Sequence, residues 1–485
     1  MTDLPGVGDL HDKAVSTRVV VVGGGIGGLI AAREFAKLGM TVTLLEASPT
    51  LGGAIRGGVV DGIALDLGAE SFATRGGHVR ALVDELGLGS AVVAPAPGGA
   101  WVAGLPGGKA APLPKGGVLG IPANPFAEDV VRVIGWGGAW RAYLDRLRPP
   151  LTIGRATSLG KLVRSRLGSA VLDRLVAPVT SGVYSARPDD IDPDIAAPGL
   201  NAALTRTGSL TGAVAELAAP RAGKKPGSAV LGIDGGMARL VDALEEALVA
   251  AGVDVRLSTP VSALERDGSG WILSVPSVDG EPAVIEADAV IIATEEAAAR
   301  RLLAPHVEGL DAEPAVPGPV VHIVTLVLAA PALDDAPRGT GVLTVPGSFR
   351  AKALTHATAK WEWVRESAGA RHVVRVSFGA QGEAPVTDGL TDDEIAALAL
   401  EEASRLLGVP LTGDQLTGFA IERFTQSQPA ATIGLREKTA KTRDAIRSVP
   451  ALGAVGAWLA GTGLAQVVPD AVAEADRLRR ATLFR

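Results

Sequence analysis

The sequence contains no cysteine, which excludes disulfides, thiol nucleophiles, iron–sulfur clusters and cysteine-ligated zinc. Histidine is scarce. His11, His78, His306, His322, His356 and His372 never recur at three- or four-residue spacing, so no helix carries a two-histidine metal face and no metal site is expected. Aromatic residues make up 4% of the chain and include only 2 tyrosines. Positive charge is not in excess: 46 Lys+Arg against 53 Asp+Glu leave a net charge of -7, a poor basis for neutralising phosphates, and no nucleic-acid partner is expected. The N-terminus lacks the basic region of a secretory signal, carrying Asp3, Asp9 and Asp12 instead, and a cytoplasmic location is expected. One long charge-free run, 448–469, has the length of a membrane span. It is interrupted by Pro450, Gly453, Gly456, Gly461 and Gly463, and reads as a strand, a glycine-rich turn and the start of a helix rather than a span.

What is present points to a globular α/β protein. The 485 residues are 47% hydrophobic, enough for a large core shared by roughly two or three domains. Arg18 is followed by Val19, Val20, Val21 and Val22, a β-branched run typical of a buried parallel strand. Gly23-Gly24-Gly25-Ile26-Gly27-Gly28 follows at once. A helix then carries Leu29, Ile30, Ala32, Phe35, Ala36 and Leu38 on one face, and Gly39 ends it. A second strand from Thr41 closes with Glu46. The order strand, glycines, helix, strand, acid is a dinucleotide-binding fingerprint. Gly23 permits the tight turn, Gly25 lets the backbone approach a pyrophosphate, and Gly28 lets helix and strand pack closely. The helix N-terminus offers unpaired N–H groups to the phosphates. Glu46 can accept hydrogen bonds from ribose hydroxyls and would repel a 2′-phosphate, which argues against NADP.

After Glu46 comes Ala47-Ser48-Pro49-Thr50-Leu51-Gly52-Gly53-Ala54, which resembles the extension of FAD-binding oxidases in the amine-oxidase-like superfamily. Val60-Asp61-Gly62-Ile63 reads as a hairpin turn. Then Asp66-Leu67-Gly68-Ala69-Glu70-Ser71-Phe72-Ala73-Thr74-Arg75 leads into a helix with Val79, Leu82, Val83 and Leu86 on one face. This segment, Pro178-Val179-Thr180-Ser181-Gly182-Val183-Tyr184-Ser185, Gly235-Gly236-Met237 and the late Gly461-Thr462-Gly463-Leu464-Ala465 are together similar to the bacterial FAD-dependent protoporphyrinogen/coproporphyrinogen III oxidase family, in family order over nearly the whole chain. Two positions depart from it. Ala54 stands where the family often has Lys or Arg. The late Trp…Pro-Gln-Tyr…Gly-His segment reads here as Phe424 to Leu435 without the Trp, Tyr or His.

The resemblance implies a Rossmann-like FAD-binding domain from 16–92, 228–300 and 440–485, a helical insertion at 93–205 covering the site, and a mixed-sheet substrate domain from 206–227 and 301–439. Within these, 253–261 and 287–294 read as strands, 129–147 and 158–167 as helices, and Val320–Leu328 and His372–Phe378 as strands. Thr391 and Glu394 form a helix-capping box. The implied FAD contacts are Gly23, Gly24, Gly25, Ile26, Gly27, Gly28, Glu46, Ala47, Gly52, Gly53, Ala54, Gly68, Ala69, Glu70, Ser71, Val261, Phe424, Gly463, Leu464, Ala465 and Gln466. A helix at 470–479, with Pro469 near its first turn, would stabilise negative charge on a reduced flavin.

The implied activity is oxidation of a porphyrinogen, coproporphyrinogen III or protoporphyrinogen IX, in haem biosynthesis. Hydride passes to flavin N5 in three two-electron steps, with O2 as acceptor giving H2O2, so no side-chain nucleophile is required. Substrate propionates need cations: Arg75 is the first candidate, Arg187 and Arg423 follow, and Tyr184 is a candidate for the cavity wall. The resemblance leaves room for peripheral membrane contact and for a transient haem-pathway enzyme partner. Another flavin oxidase or desaturase acting on amines or polyenes, and a non-catalytic flavoprotein porphyrin carrier, stay open as alternatives.

Overall fold

A computed structural model describes residues 7–148, 155–219, 229–276, 283–314, 316–427 and 431–484. Its first layer is a five-stranded parallel sheet. The strand order is Asp254–Arg256, Thr41–Leu45, Arg18–Val22, Ala289–Ile292 and Leu452–Ala454, so three separate stretches of chain build it. The central strands are buried along almost their whole length, as a parallel sheet covered on both faces requires. The helix Ile26–Ala36 covers it together with the C-terminal helix Leu464–Leu483 and the helix Ala238–Ala250. Asp61 and Gly62 both take positive φ, 49° and 76°, and make the tight hairpin between Gly57–Val60 and Ile63–Asp66 that the sequence announces.

The second layer is a seven-stranded mixed sheet. Its order is Leu416–Thr425, Val320–Leu328, His372–Phe378, Ala353–His356, Gly341–Thr344, Ala100–Leu105 and Lys109–Pro112. Every pairing is antiparallel except that between Gly341–Thr344 and Ala100–Leu105. The helix Asp392–Leu407 covers one face, opened by Thr391 and Glu394 in a reciprocal capping box. The helical insertion, including Glu128–Tyr143, Leu159–Leu167 and Ala177–Tyr184, forms its own apolar cluster.

Four sequence expectations are corrected. The stretch from 93 does not begin helical, because Ala100–Leu105 and Lys109–Pro112 complete the mixed sheet. The strand expected over 253–261 ends at Arg256. Ser258 turns left-handed (φ 51°), and the N–H groups of Ser258 and Thr259 are taken by the carbonyls of Ser48 and Glu46, which peels the chain away from the sheet. Val261 therefore lies in a loop, packed against the core of the nucleotide domain. The strand expected over 287–294 is Ala289–Ile292. The last helix does not start near Pro469 but at Leu464, with Pro469 inside it. The turn that opens it, at Gly463 (φ 110°), is what sets its N-terminus.

Candidate functional site

The glycine fingerprint is explained by what a side chain would hit. A β-carbon on Gly28 would fall 1.9 Å from the carbonyl oxygen of Gly23, and one on Gly23 would fall 2.8 Å from the carbonyl carbon of Ala293. Gly25 differs: a β-carbon there would meet nothing within 4 Å, so the backbone faces open space in front of the helix. The first intrahelical hydrogen bond runs from the N–H of Leu29 to the carbonyl of Gly25 (3.0 Å), leaving the N–H groups of Ile26, Gly27 and Gly28 without an acceptor inside the helix. Open space, free amides and the positive end of a helix dipole are what a pyrophosphate needs.

Three further segments converge on that point. Glu46 accepts the N–H of Gly24 on Oε2 (2.6 Å), and the N–H and hydroxyl of Ser48 on Oε1 (both 2.7 Å). Its carboxylate thus fixes the glycine loop while Oε2 keeps an acceptor site. The Gly52 N–H donates to the Gly24 carbonyl (2.9 Å), and a β-carbon on Gly53 would sit 3.3 Å from the Gly25 α-carbon. The second glycine pair is therefore layered on the first. Gly68 lies so close to Ala54 that a β-carbon would stand 2.1 Å from its carbonyl oxygen, and the Ala69 N–H donates to that same oxygen (2.9 Å). At the far end of the chain Val455, Gly456 and Val467 pack on Gly27, which brings the Gly463 turn, and with it Leu464, Ala465 and Gln466, beside the first helix. Ala47 is exposed after Glu46, and Ser71 is half-buried before the short strand Phe72–Ala73.

Glu70, expected among the FAD contacts, carries two ion pairs. Its carboxylate is paired with Lys360 (2.5 Å) and with the buried Arg375 (3.1 Å), whose other donors hold the carbonyls of Leu67 (2.9 Å) and Gly68 (2.5 Å). Burial works to raise the Glu70 carboxyl, but Lys360 and Arg375 overcome it and hold the group at about 2. The loop at 67–70 is thereby tied by charge to the mixed sheet. Nearby, Asp66 accepts the N–H groups of Met237 (2.9 Å) and Ala238 (3.3 Å), opening the helix Ala238–Ala250, and burial pushes its carboxyl up to about 6.

Strand alternation separates the remaining candidates. On Leu416–Thr425, Glu422 pairs with Arg56 (2.8 Å), and the same guanidinium lies over the ring of Phe424, 5.9 Å from its centre. Arg423, between them, points to the other face, where it meets Asp392 (3.4 Å) at the start of the covering helix. Arg423 is therefore not on the face that carries Glu422 and Phe424. Arg187 is exposed and paired with Glu383 (3.1 Å). Arg75 is exposed on the loop that follows Phe72–Ala73. The side chain of Tyr184 and residues 428–430 lie outside the described residues. Sequence reading missed Arg375 and Asp66. A charge inside the apolar run His372–Phe378 was the available signal, because a buried arginine demands partners.

The cleft between nucleotide domain, mixed sheet and insertion holds two neighbouring cavities. One, of about 330 Å³, reaches Arg300 and Trp458 of the nucleotide domain; the other, of about 440 Å³, reaches Ser181 and Ser185 of the insertion; Gln381 lines both.

Comparison with known proteins agrees with this geometry. A family model described as flavin containing amine oxidoreductase matches residues 26–477. The coproporphyrinogen III oxidase of Propionibacterium freudenreichii subsp. freudenreichii is 30% identical over 517 residues, covering 99% of this chain and 93% of that protein. The coproporphyrinogen III oxidase of Mycobacterium tuberculosis (strain ATCC 25618 / H37Rv) is 31% identical, covering 94% of this chain and 95% of that protein. The crystal structure of an Exiguobacterium protein, described as a candidate protoporphyrinogen oxidase, matches with a TM-score of 0.81 at 26% identity, over 97% of this chain and 99% of that one. With a glycine cradle built from both ends of the chain and a family match along almost its full length, the chain belongs to the flavin-containing amine oxidoreductases.

Proposed function

We propose that this protein is an FAD-dependent porphyrinogen oxidase of haem biosynthesis, acting in the cytoplasm on coproporphyrinogen III. The observation that carries the reading is end-to-end similarity to coproporphyrinogen III oxidases in a chain whose glycine cradle fits a dinucleotide. The amides of Ile26, Gly27 and Gly28 would take the pyrophosphate, Glu46 the ribose, Gly52 and Gly53 the second side of the diphosphate, and the turn at Gly463 to Gln466 the flavin's carbonyl edge. Bound flavin would supply an acceptor for one hydride, that is two electrons, per turnover, so a six-electron oxidation to porphyrin takes three turnovers, with O2 as final acceptor giving H2O2. The protein's part is orientation, exclusion of water and electrostatics. The N-terminal end of Leu464–Leu483 favours negative charge nearby, and Arg75 offers a cation at the rim for a propionate.

The insertion supports a peripheral membrane contact as part of this reading. Trp136 (65% exposed), Trp140 (57%) and Leu147 (77%) stand out from Glu128–Tyr143 and the turn after it, with the ring of Phe126 packed against Trp136, Trp140 and Tyr143. Exposed tryptophans and leucine suit the headgroup boundary of a bilayer, where the substrate's apolar ring would also collect. Among the described residues no helix is long and apolar enough to cross a membrane.

Anaerobic addition of coproporphyrinogen III tests the reading. The expected result is loss of the yellow flavin absorbance and appearance of porphyrin fluorescence when air is admitted. Flavin that stays oxidised with both coproporphyrinogen and protoporphyrinogen would overturn it, and bleaching by an amine or a polyene instead would reassign the substrate.

A further inference from the structure

The cavity beside the insertion contains a cation without a counter-charge. Lys352 precedes the strand Ala353–His356 and is anchored there by its N–H, which donates to the carbonyl of Ser377 (2.9 Å). Its ammonium reaches to the wall of the 440 Å³ cavity and donates one hydrogen bond, to Ser185 Oγ (2.7 Å). Ser185 Oγ in turn donates a hydrogen bond to Gln426 Oε1 (3.1 Å). Ser185 is buried and caps the helix Ala177–Tyr184 in a left-handed conformation (φ 52°), which costs a non-glycine residue about 1 kcal/mol and directs its hydroxyl toward Lys352.

Of the other cations on this cavity wall, Arg187 is engaged by Glu383 (3.1 Å) and Arg164 by Asp189 (3.7 Å), while Arg350, without an ion pair among the described residues, is exposed to water where Lys352 is partly buried. Among the described residues no carboxylate lies within ion-pair distance of Lys352 Nζ. Burial alone draws its pKa down to about 8, so at neutral pH it stays charged. An ammonium has three donors, and one is used. A half-buried ammonium without a counter-ion is costly, and a chain that needed only to fill this volume would carry an apolar residue there.

We propose that Lys352 is a specificity-determining residue of the cleft: its ammonium, oriented by Ser185 and Gln426, receives a carboxylate of the substrate. This rests on the porphyrinogen reading, and it names the chemical class the cavity selects, a polycarboxylate whose ring lies toward Gln381 and the neighbouring cavity at Trp458. The selectivity of Lys352 is one of charge, so an esterified ligand of the same shape is a clean control.

The test uses the full flavin-loaded chain with Lys352→Met, Lys352→Arg and Ser185→Ala. Binding of coproporphyrin III and of its tetramethyl ester is read by porphyrin fluorescence. Lys352→Met is expected to weaken the tetracarboxylate about tenfold while leaving the ester unchanged. Lys352→Arg is expected to restore most of the affinity, and Ser185→Ala to lose about threefold. With coproporphyrinogen III the loss should fall on KM rather than kcat. The melting temperature of ligand-free Lys352→Met should be no lower than that of the parent, since an uncompensated charge has been removed. Equal affinity of parent and Lys352→Met for the tetracarboxylate, or equal losses for acid and ester, would overturn the assignment. If the parent's flavin still bleaches with porphyrinogen in that case, the proposed function survives. If the parent neither bleaches nor binds porphyrin, the function and this assignment fall together.

Discussion

The two large sheets are buried in opposite ways. In the parallel sheet the buried positions of the central strands are Val19 to Val22 and Ala289 to Ile292, apolar without exception. The mixed sheet buries His322, Thr325, Thr344, His356, His372 and Arg375 within strands of similar hydrophobicity. A sheet that binds its ligand at strand ends, through backbone amides and helix dipoles, can be apolar throughout. A sheet that carries polar side chains into the interior depends instead on the partners they find there. The first is therefore sensitive to the size of residues at its glycines, and the second to charge and pH.

The largest effect is expected where the two are joined. Glu70→Ala leaves Arg375 and Lys360 facing each other without their shared carboxylate and should cost about 3–5 kcal/mol in urea denaturation. A loss below about 1 kcal/mol would mean that charge does not hold this seam. Next comes the apolar sheet. Gly28→Ala forces a β-carbon against the Gly23 carbonyl and should cost about 3 kcal/mol together with most of the bound flavin. Retained stability would show that the strand–helix contact relaxes more easily than its geometry suggests.

The pH dependence should reside in the mixed sheet. Burial first, then His372 and Arg365, hold His356 at about 4. A histidine with a lowered folded pKa contributes stability that is full above its unfolded value near 6.5 and is lost as pH falls from there toward 4. Between pH 6.5 and 5 the expected loss is about 2 kcal/mol, and His356→Gln should flatten that slope. Asp66, raised to about 6, acts in the opposite direction, since its burial destabilises the fold at neutral pH and this is relieved as pH falls toward 3.8. The difference between variant and parent, not the parent curve alone, isolates His356. A parent slope unchanged in the variant would remove His356 as its source. The smallest effect is Glu46→Gln, which weakens the bond to Gly24 and should lower FAD affinity about tenfold with little change in folding. Unaltered flavin content would show that the carboxylate serves the loop alone.

The same contrast decides what could be read from the sequence. The close packing at Gly28 was legible because it depends on Gly23 a few residues away, and so was the capping box at Thr391. The edges of Val320–Leu328 and His372–Phe378 followed from runs rich in β-branched residues. The pairing of Glu70 with Arg375 and of Lys352 with Ser185 was not legible, because each joins segments far apart in the chain. The face that Arg423 takes was not legible for a local reason: one residue of shift along a strand reverses the face, and only the neighbouring pair Arg56–Glu422 shows which face is which. The start of the last helix was misplaced because Pro469 suggested a first turn, whereas the break is made by Gly463.

Central to all of this is a flavin dinucleotide lying against the open backbone at Gly25, and titration of flavin-stripped protein with FAD tests it most directly. The parent should take up one FAD per chain and turn yellow, while Gly25→Ala, whose added methyl meets nothing in the protein, should melt at the same temperature yet bind FAD at least about tenfold more weakly. A parent that stays colourless in excess FAD, or a Gly25→Ala variant that binds as tightly as the parent, would contradict it.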